Sequence, residues 1–315
     1  MRRNYLIALD CICLAIIVLA FTSYIEQNHP AVKNDGNVIQ SVDTPLVVSD
    51  EFYGEEEYKA QNEISTTPKP TVIPKKPGVT AVAFLVGDVV SGEILISRNM
   101  KARLPVASMS KLVTAFAVTD HLPVDTQITI TREEASSTLD TSGLMAGENF
   151  TVSEFLYPLL LNSSNLAAEA LASSSDRSKF LELMSSYAWE VGMPSTFFAD
   201  PSGLSPQNVS TASDFFALAR YLLEYRPDIL KITRIPTISL ATTSDHGAHE
   251  FVSIHPFVNH PDFIGGKTGH TRAAKDTMLT ILKVADRTIA IVVLASDDRK
   301  SDTQMLLTEV EKLIK

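Results

Sequence analysis

Strand-forming segments stand at both ends of residues 79–315, and helix-forming segments lie between them. Residues 80–86 and 93–96 are apolar and are separated by turn-forming residues, which predicts a pair of strands. Near the other end, residues 277–284 and 288–295 are β-branched runs joined by a short connection, which predicts a hairpin. Because strands from the two ends can pair in one antiparallel sheet, this order predicts an α+β domain with an inserted helical region.

The middle of this region has the periodicity of amphipathic helices. Apolar residues recur at helical spacing over 109–117, and Thr151 and Glu154 have the spacing of a capping box that opens another helix. Further helices are predicted over four segments: 166–172, 177–191, 211–225 and 305–314. Three aromatic side chains are expected in the core: Trp189, Phe197 and Phe198.

The N-terminal part of the chain differs in character from the rest. Arg2 and Arg3 precede an apolar run of about 20 residues, which is long enough to span a bilayer. We expect residues 1–25 to be a signal-anchor or transmembrane segment that places the following chain outside the cytoplasm; cleavage after residues 18–20, and secretion, is the alternative. Residues 26–78 hold six prolines and an acidic run, which predicts a disordered linker.

Charge and cysteine content exclude some classes of function and structure. The chain carries 27 Lys and Arg against 37 Asp and Glu, a net charge of −10, so a nucleic acid is not expected as a partner. The two cysteines, Cys11 and Cys13, both lie in the apolar N-terminal run. An exported domain over residues 79–315 therefore has no disulfide, and its stability must come from its core.

Ser108 and Lys111 carry the first chemical signal. If a helix begins at Ser108, Lys111 lies one turn later on the same face, so a hydroxyl and an amine are held in contact. A lysine can activate a serine hydroxyl only if its ammonium group loses its proton easily, through burial or a second nearby cation. The spacing alone is a weak signal, because a capped surface helix would explain it as well.

Two later motifs strengthen that signal. Ser163 and Asn165 lie between two helical segments, where they can present a second hydroxyl and an amide to the same cleft. Lys267, Thr268 and Gly269 follow two glycines at the entry to a predicted strand. A second lysine there would keep the pKa of the first one low and would be available to bind a substrate carboxylate. The order and spacing of the three motifs therefore favour a nucleophilic serine beside a base over a capped surface helix.

With these motifs the chain resembles the low-molecular-mass penicillin-binding proteins that act as serine D-alanyl-D-alanine carboxypeptidases, peptidase family S11. The ordered trio S-x-x-K, S-x-N and K-T-G is typical of penicillin-binding proteins and class A β-lactamases. The resemblance covers nearly all of residues 79–315 and includes the stretches 145–148, 198–205 and 266–271. It implies the transpeptidase fold of β-lactamases and penicillin-binding proteins, and a DD-carboxypeptidase catalytic domain over 79–315.

The resemblance also implies a reaction. Ser108 would attack the penultimate D-alanine of a peptidoglycan stem peptide, Lys111 would take its proton, and water would hydrolyse the acyl-enzyme after D-alanine leaves. Ser163 is the third catalytic residue, and backbone N–H groups of Ser108 and His270 would bind the oxyanion. The substrate-binding residues implied are Asn165, Lys267, Thr268, Gly269 and His270. No cofactor or metal is implied, β-lactams are expected as inhibitors, and the place of action is the outer side of a bacterial membrane.

The second motif departs from the family pattern at two positions. Ser164 stands where many relatives have glycine, and Leu166 stands where many have aspartate. The hydrogen bonds behind this motif are therefore expected to differ, although the catalytic trio is unaffected.

Other functions stay open on the sequence. A DD-endopeptidase would share the fold, and a β-lactamase would need an acidic residue to activate the deacylating water, for which Asp200 is the candidate. A non-catalytic peptidoglycan-binding sensor would bind penicillin without turnover. Four histidines offer metal-ligand spacing, but we favour solvated loop side chains for them: His246, His249, His255 and His260.

Overall fold

A computed structural model of the protein describes residues 78–314. The predicted anchor, 1–25, and all but the last residue of the predicted linker, 26–78, lie outside the described residues. The strands are β1 (Ala83–Asp88), β2 (Ile94–Arg98), β3 (Leu104–Pro105), β4 (Gln127–Thr129), β5 (Asn149–Thr151), β6 (Val209–Ser210), β7 (Thr237–Leu240), β8 (His249–Val252), β9 (Phe263–Thr271), β10 (Lys275–Val284) and β11 (Arg287–Ser296). The helices are α1 (Lys111–His121), α2 (Arg132–Ser137), α3 (Val152–Leu160), α4 (Asn165–Ser173), α5 (Arg177–Glu190), α6 (Ala212–Tyr225), α7 (Pro227–Thr233) and α8 (Arg299–Ile314).

The central sheet is antiparallel and draws its strands from both ends of the described chain. Its strand order is β2-β1-β11-β10-β9, with β1 paired to β11 so that Ala83 faces Leu294. The α+β prediction is therefore confirmed. The first strand begins three residues later than predicted because the N–H groups of Thr80 and Ala81 donate at 2.8 Å to the buried carboxylate of Asp302 instead of to a strand.

The sheet separates two hydrophobic clusters. One face carries the helical region, in which α1 is buried on all sides from Lys111 to Val118. The other face is covered by α8, whose Leu306, Leu307 and Val310 pack against the sheet. The predicted closing helix is thus confirmed, with an earlier start at Arg299. Within residues 78–314, no helix combines the length and the apolar character needed to cross a membrane.

The capping box that opens α3 is confirmed. Thr151 Oγ1 accepts from the backbone N–H of Glu154 at 3.1 Å, and a carboxylate oxygen of Glu154 accepts from the N–H of Thr151 at 2.8 Å. These reciprocal bonds satisfy two donors that a helix N-terminus otherwise leaves without partners. The bonds fix where β5 ends and α3 begins.

Two of the three aromatic residues expected in the core lie at the surface. Trp189 is 70% exposed and Phe197 49% exposed, whereas Phe198 is buried as predicted. The buried face of α5 passes through residues spaced four apart, ending at Ala188. Trp189 follows one position later, about 100° around the helix, and so faces outward.

The expectation of solvated histidines is wrong for three of the four. His246 and His255 are buried, and the His249 side chain is 7% exposed. His249 Nε2 lies 2.8 Å from Glu148 Oε1, and the ring of Phe150 stacks on His246. Residues 78–314 contain no cluster of three or more side chains that could hold a metal ion.

Candidate active site

Ser108 lies in a short 3₁₀ turn, Ala107–Ser110, that leads into α1. The predicted α-helix therefore begins at Lys111, three residues later than expected, and Ala107 at the start of the turn has a left-handed φ of +49°. A Cβ atom on Gly203 would lie 2.0 Å from the carbonyl oxygen of Ala107, so only glycine permits this close approach. The loop that contains Gly203 packs directly against this turn.

Lys111 is fully buried and its amine contacts three acceptors. Its Nζ lies 2.9 Å from Ser108 Oγ, 2.8 Å from Asn165 Oδ1 and 2.6 Å from the carbonyl oxygen of Ser202. The contact between hydroxyl and amine that the sequence predicted is present. Asn165 and Ser202 hold the amine in place from two other segments of the chain.

Burial sets the protonation of Lys111. Removal from water lowers its pKa to about 7, against an opposing, raising effect of the nearby carboxylates of Asp200, Asp140 and Glu169. Near neutral pH a large fraction of this amine is therefore uncharged. An uncharged amine at hydrogen-bond distance from a serine hydroxyl is able to take its proton.

Asp200 organises the loop that presents the Ser202 carbonyl to Lys111. Its carboxylate accepts backbone N–H bonds from Ser202 at 2.8 Å, Gly203 at 2.5 Å and Ser205 at 2.6 Å. These donors point both carboxylate oxygens into the loop. The geometry therefore gives Asp200 a structural and electrostatic role, and offers no contact that favours it as the base for a deacylating water.

The second motif lies at the start of α4, beside the amine of Lys111. Ser163 has a left-handed φ of +66°, and Ser164 caps the helix by accepting from the N–H of Ala167 at 3.0 Å. The carboxylate of Asp140 accepts from Ser164 Oγ at 2.9 Å and from the N–H of Asn165 at 2.7 Å. Sequence reasoning missed Asp140: the departure at Ser164 indicated altered hydrogen bonding, but no spacing rule indicates a partner 24 residues upstream.

Lys267 contacts the second motif from β9. Its Nζ donates to Ser163 Oγ at 2.8 Å and to the carbonyl oxygen of Thr268 at 3.0 Å, and the residue is buried. Burial lowers the pKa of Lys267 well below its usual value, and the charges of Lys111 and Arg299 lower it further. The site thus holds two serine–lysine pairs, one on α1 and its preceding turn and one between α4 and β9.

The end of β9 runs directly beside the nucleophile. A Cβ atom on Gly269 would lie 2.9 Å from the backbone nitrogen of Ser108 and 2.5 Å from Thr277 Oγ1, so no side chain fits there. His270 follows at the exposed end of the strand, where its Nδ1 lies 2.7 Å from Asp276. Arg299, which the sequence did not indicate, donates to the carbonyl oxygen of Gly269 at 2.7 Å. All eight predicted site residues therefore fall on the three segments that meet around Lys111.

Comparisons with known proteins agree with this arrangement. A family model described as D-alanyl-D-alanine carboxypeptidase matches residues 70–298. A D-alanyl-D-alanine endopeptidase from Pseudomonas aeruginosa is 34% identical over 160 residues, which are 49% of this chain and 52% of that protein. The D-alanyl-D-alanine carboxypeptidase DacB2 from Mycobacterium tuberculosis is 29% identical over 223 residues, which are 69% of this chain and 76% of that protein.

A solved structure has the same fold. The crystal structure of an evolved penicillin-binding protein homolog from Mycobacterium tuberculosis superposes with a TM-score of 0.68 at 26% identity, covering 76% of this chain and 93% of that one. The chain spans about half the length of the first of the two curated relatives and about three quarters of the second. The penicillin-binding-protein fold expected from the motifs is confirmed.

Proposed function

The chain belongs to the D-alanyl-D-alanine carboxypeptidase family of serine peptidases, and we propose that it removes the terminal D-alanine from peptidoglycan stem peptides through an acyl-enzyme on Ser108. The observation that carries this proposal is the 2.9 Å contact between Ser108 Oγ and the fully buried amine of Lys111. A buried, partly uncharged amine is the group that a serine needs as its base.

Acylation follows from that contact. Lys111 Nζ takes the proton of Ser108 while Oγ forms a bond to the carbonyl carbon of the penultimate D-alanine. The carbonyl oxygen, now negative, is stabilised by the backbone N–H groups of Ser108 and His270, which the glycine at 269 allows to lie close together. When the intermediate collapses, the C–N bond breaks and the leaving amine needs a proton. Ser163, hydrogen-bonded to Lys267, is suited to pass to this amine the proton that Lys111 took from Ser108, which leaves Lys111 uncharged again.

Lys267 and Thr268 are the residues we assign to the terminal carboxylate of the substrate. Lys267 is buried beside two other cationic groups, and burial without a carboxylate nearby disfavours its charged form. A substrate carboxylate would supply the missing opposite charge. Asn165 would orient the substrate backbone while its side-chain oxygen keeps contact with Lys111.

Hydrolysis of the acyl-enzyme completes the cycle. A water molecule loses a proton to Lys111, attacks the ester carbon, and Ser108 regains its proton as the ester C–O bond breaks. A β-lactam, whose reactive amide is cyclic, would acylate Ser108 in the same way, but its leaving amine stays attached. We therefore propose β-lactams as covalent inhibitors of this protein.

A second candidate function is DD-endopeptidase activity on cross-linked peptidoglycan. The P. aeruginosa relative, 34% identical over 160 residues, carries the name of an endopeptidase. Both reactions break a bond after a penultimate D-alanine and differ in the amine that leaves. A purified cross-linked muropeptide dimer offered beside a pentapeptide monomer separates them by the product released.

We also propose that the catalytic domain, residues 79–315, acts outside the cytoplasm and is attached through the N-terminal segment. The support is the pair Arg2 and Arg3 before the apolar run, together with a substrate class that is located outside the cell membrane. Fractionation of cells that express the full chain tests this: the protein is expected in the membrane and accessible to external protease. Recovery of a shortened chain from the medium would support cleavage and secretion instead.

The central experiment uses the full chain, its Ser108→Ala variant and a Ser301→Ala variant as a matched control on an exposed turn of α8. Each is incubated with a fluorescent penicillin and, separately, with diacetyl-Lys-D-Ala-D-Ala. We expect labelling and D-alanine release from the wild type and the control, and neither from Ser108→Ala. Labelling without release from monomeric or cross-linked substrates would indicate a sensor, and rapid loss of label with destruction of the penicillin a β-lactamase. Absence of labelling from the wild type would overturn the proposal.

A further inference from the structure

We infer that Asp140 is a positioning residue for the proposed reaction, holding both serine–lysine pairs of the site in register from a loop outside the three sequence motifs. This inference rests on the proposed function and deepens it. Asp140 lies in the connection between α2 and β5, and its side chain is half-buried. Its contacts extend to the second motif and, through Asn165, to Lys111.

The first contact set is with the backbone at the start of α4. One oxygen of Asp140 accepts from Ser164 Oγ at 2.9 Å, from the N–H of Asn165 at 2.7 Å and from the N–H of Leu166 at 3.2 Å. The first N–H groups of a helix have no partners within the helix, and the positive end of its dipole favours a carboxylate. Asp140 therefore fixes where α4 begins, and with it the position of Asn165.

The second contact fixes the Asn165 side chain. Its Nδ2 donates to the carbonyl oxygen of Leu139 at 2.8 Å, so the amide is oriented with Oδ1 toward Lys111 Nζ, also at 2.8 Å. Asp140 and its neighbour Leu139 thus hold both the backbone and the side chain of Asn165. If this loop moved, Lys111 would lose the acceptor that aligns its amine with Ser108.

The bond between Ser164 and Asp140 also bears on Ser163, which has a left-handed φ of +66°. Such a conformation persists only where the surroundings fix it. The next residue, Ser164, is held on both sides: its N–H donates to the carbonyl oxygen of Pro158 at 2.8 Å, and its Oγ donates to Asp140. Asp140 therefore also stabilises the position from which Ser163 Oγ meets Lys267.

Asp140 remains charged in this setting. Burial acts to raise its pKa, but hydrogen bonds from Ser142, Leu166 and Ser164 outweigh that effect, and the pKa lies below its usual value. Its negative charge is one of the three that oppose the lowering of the Lys111 pKa by burial. Removal of the charge is therefore expected to lower the pKa of Lys111, in addition to loosening Asn165.

The test compares Asp140→Asn with Asp176→Asn. Asp176 caps α5 through two backbone N–H groups, at 3.0 and 3.3 Å, and so matches Asp140 as a helix-capping carboxylate away from the site. For Asp140→Asn we expect kcat/KM for D-alanine release to fall about 10-fold, the value expected for loss of a hydrogen bond to a charged group, while Asp176→Asn changes it by less than about twofold. The acid limb of the pH profile of Asp140→Asn is expected to move to lower pH.

A shift of the acid limb distinguishes a positioning role of Asp140 from a general loss of structure. Partial unfolding lowers the rate at every pH and does not shift the limb. Ser142→Ala removes the hydroxyl that donates to the other oxygen of Asp140 and keeps the backbone N–H that donates to the same oxygen, so it is expected to change both readouts in the same direction by a smaller factor. Equal behaviour of Asp140→Asn and Asp176→Asn in rate and in pH profile would overturn the inference.

The rate of acylation by benzylpenicillin is measured in parallel, because it depends on Lys111 but not on D-alanine release. If the wild type is acylated but releases no D-alanine, the proposed function fails. The Asp140 inference is then judged on acylation: a slower rate with a limb at lower pH for Asp140→Asn supports it, and an unchanged rate and limb contradicts it.

Discussion

Lys111 and Lys267 are both fully buried, and both contact a serine hydroxyl at 2.8 to 2.9 Å, yet their electrostatic surroundings are opposite. Lys111 has carboxylates nearby that partly offset burial, so its pKa stays at about 7. Lys267 has cationic neighbours instead, which add to the effect of burial. The same side-chain type is therefore suited to the proposed role of a base on one side of the cleft and to the proposed role of an anion receptor on the other.

The segments that carry the two lysines also differ in the charged groups around them. Lys111 begins a helix that is surrounded by the helical region, where Asp140, Glu169 and Asp200 are contributed by two loops and a neighbouring helix. Lys267 stands in the middle of an edge strand of the sheet, where its amine contacts the Ser163 hydroxyl and the Thr268 carbonyl and its charged neighbours are the cations Lys111 and Arg299.

Replacement of the helical lysine is expected to have the largest effect. Lys111→Met removes the base while keeping a long apolar side chain in the same space, and we expect acylation by penicillin to slow by about 1,000-fold, within the range for loss of a general base. The exposed Lys283 on β10 provides the control variant Lys283→Met, which should acylate at the wild-type rate. If Lys111→Met is acylated at a rate within tenfold of the wild-type rate, another group is the base, and the proposed difference in role between Lys111 and Lys267 is wrong.

The pH profile of the wild type is expected to follow Lys111. Because the amine acts as a base in its uncharged form, kcat/KM should rise with pH through about 7 and fall roughly tenfold per unit well below it. Measurement of penicillin acylation from pH 5 to 9 in buffers of constant ionic strength gives the limb directly. An activity independent of pH over this range would contradict the assignment of Lys111 as the base.

Replacement of the strand lysine is expected to depend on the substrate. Lys267→Gln should lower kcat/KM about 10- to 100-fold for a peptide that ends in a free D-alanine carboxylate, because a charge-assisted contact is lost. For the same peptide ending in D-alanine amide, the loss should be clearly smaller, since that substrate never had the carboxylate. Equal losses on both peptides would show that Lys267 acts through Ser163 alone.

Replacement of Glu169, one of the carboxylates near Lys111, is expected to have the smallest effect. Glu169 contributes to the field at Lys111 but is partly exposed and paired with Arg177 at 2.8 Å, and such pairs are worth little. Glu169→Gln should therefore change kcat/KM less than about twofold and move the acid limb only slightly to lower pH. Glu182→Gln, on the exposed face of α5, is the matched control and should leave the limb in place.

Local spacing was enough to predict the first pair of the site. Ser108 and Lys111 are three residues apart, so a single turn of any helix brings them together, and the change from α to 3₁₀ geometry at Ser108 did not separate them. The capping box at Thr151 and Glu154 was predictable for the same reason. Both depend on contacts within one turn of the chain.

The errors have a common cause. Trp189 was expected in the core from its residue type, but the phase of α5 turns it outward. His249 was expected in solvent from its loop-like surroundings, but Glu148, about 100 residues upstream, provides a buried partner. In each case the outcome depended on a neighbour or an angle that residue type and local pattern do not specify.

The two ends of the sheet, the helical insert and the three motifs could be recognised from the chain alone, because strand and helix periodicity and short-range spacing are local properties. The charges that lie near each lysine could not, because they depend on tertiary packing. Asp140, Ser202 and Arg299 reach the site from segments 24 to 91 residues away from the groups they contact. A pKa depends on burial and on charges within a few ångströms, and those distances are set by packing, not by position along the chain.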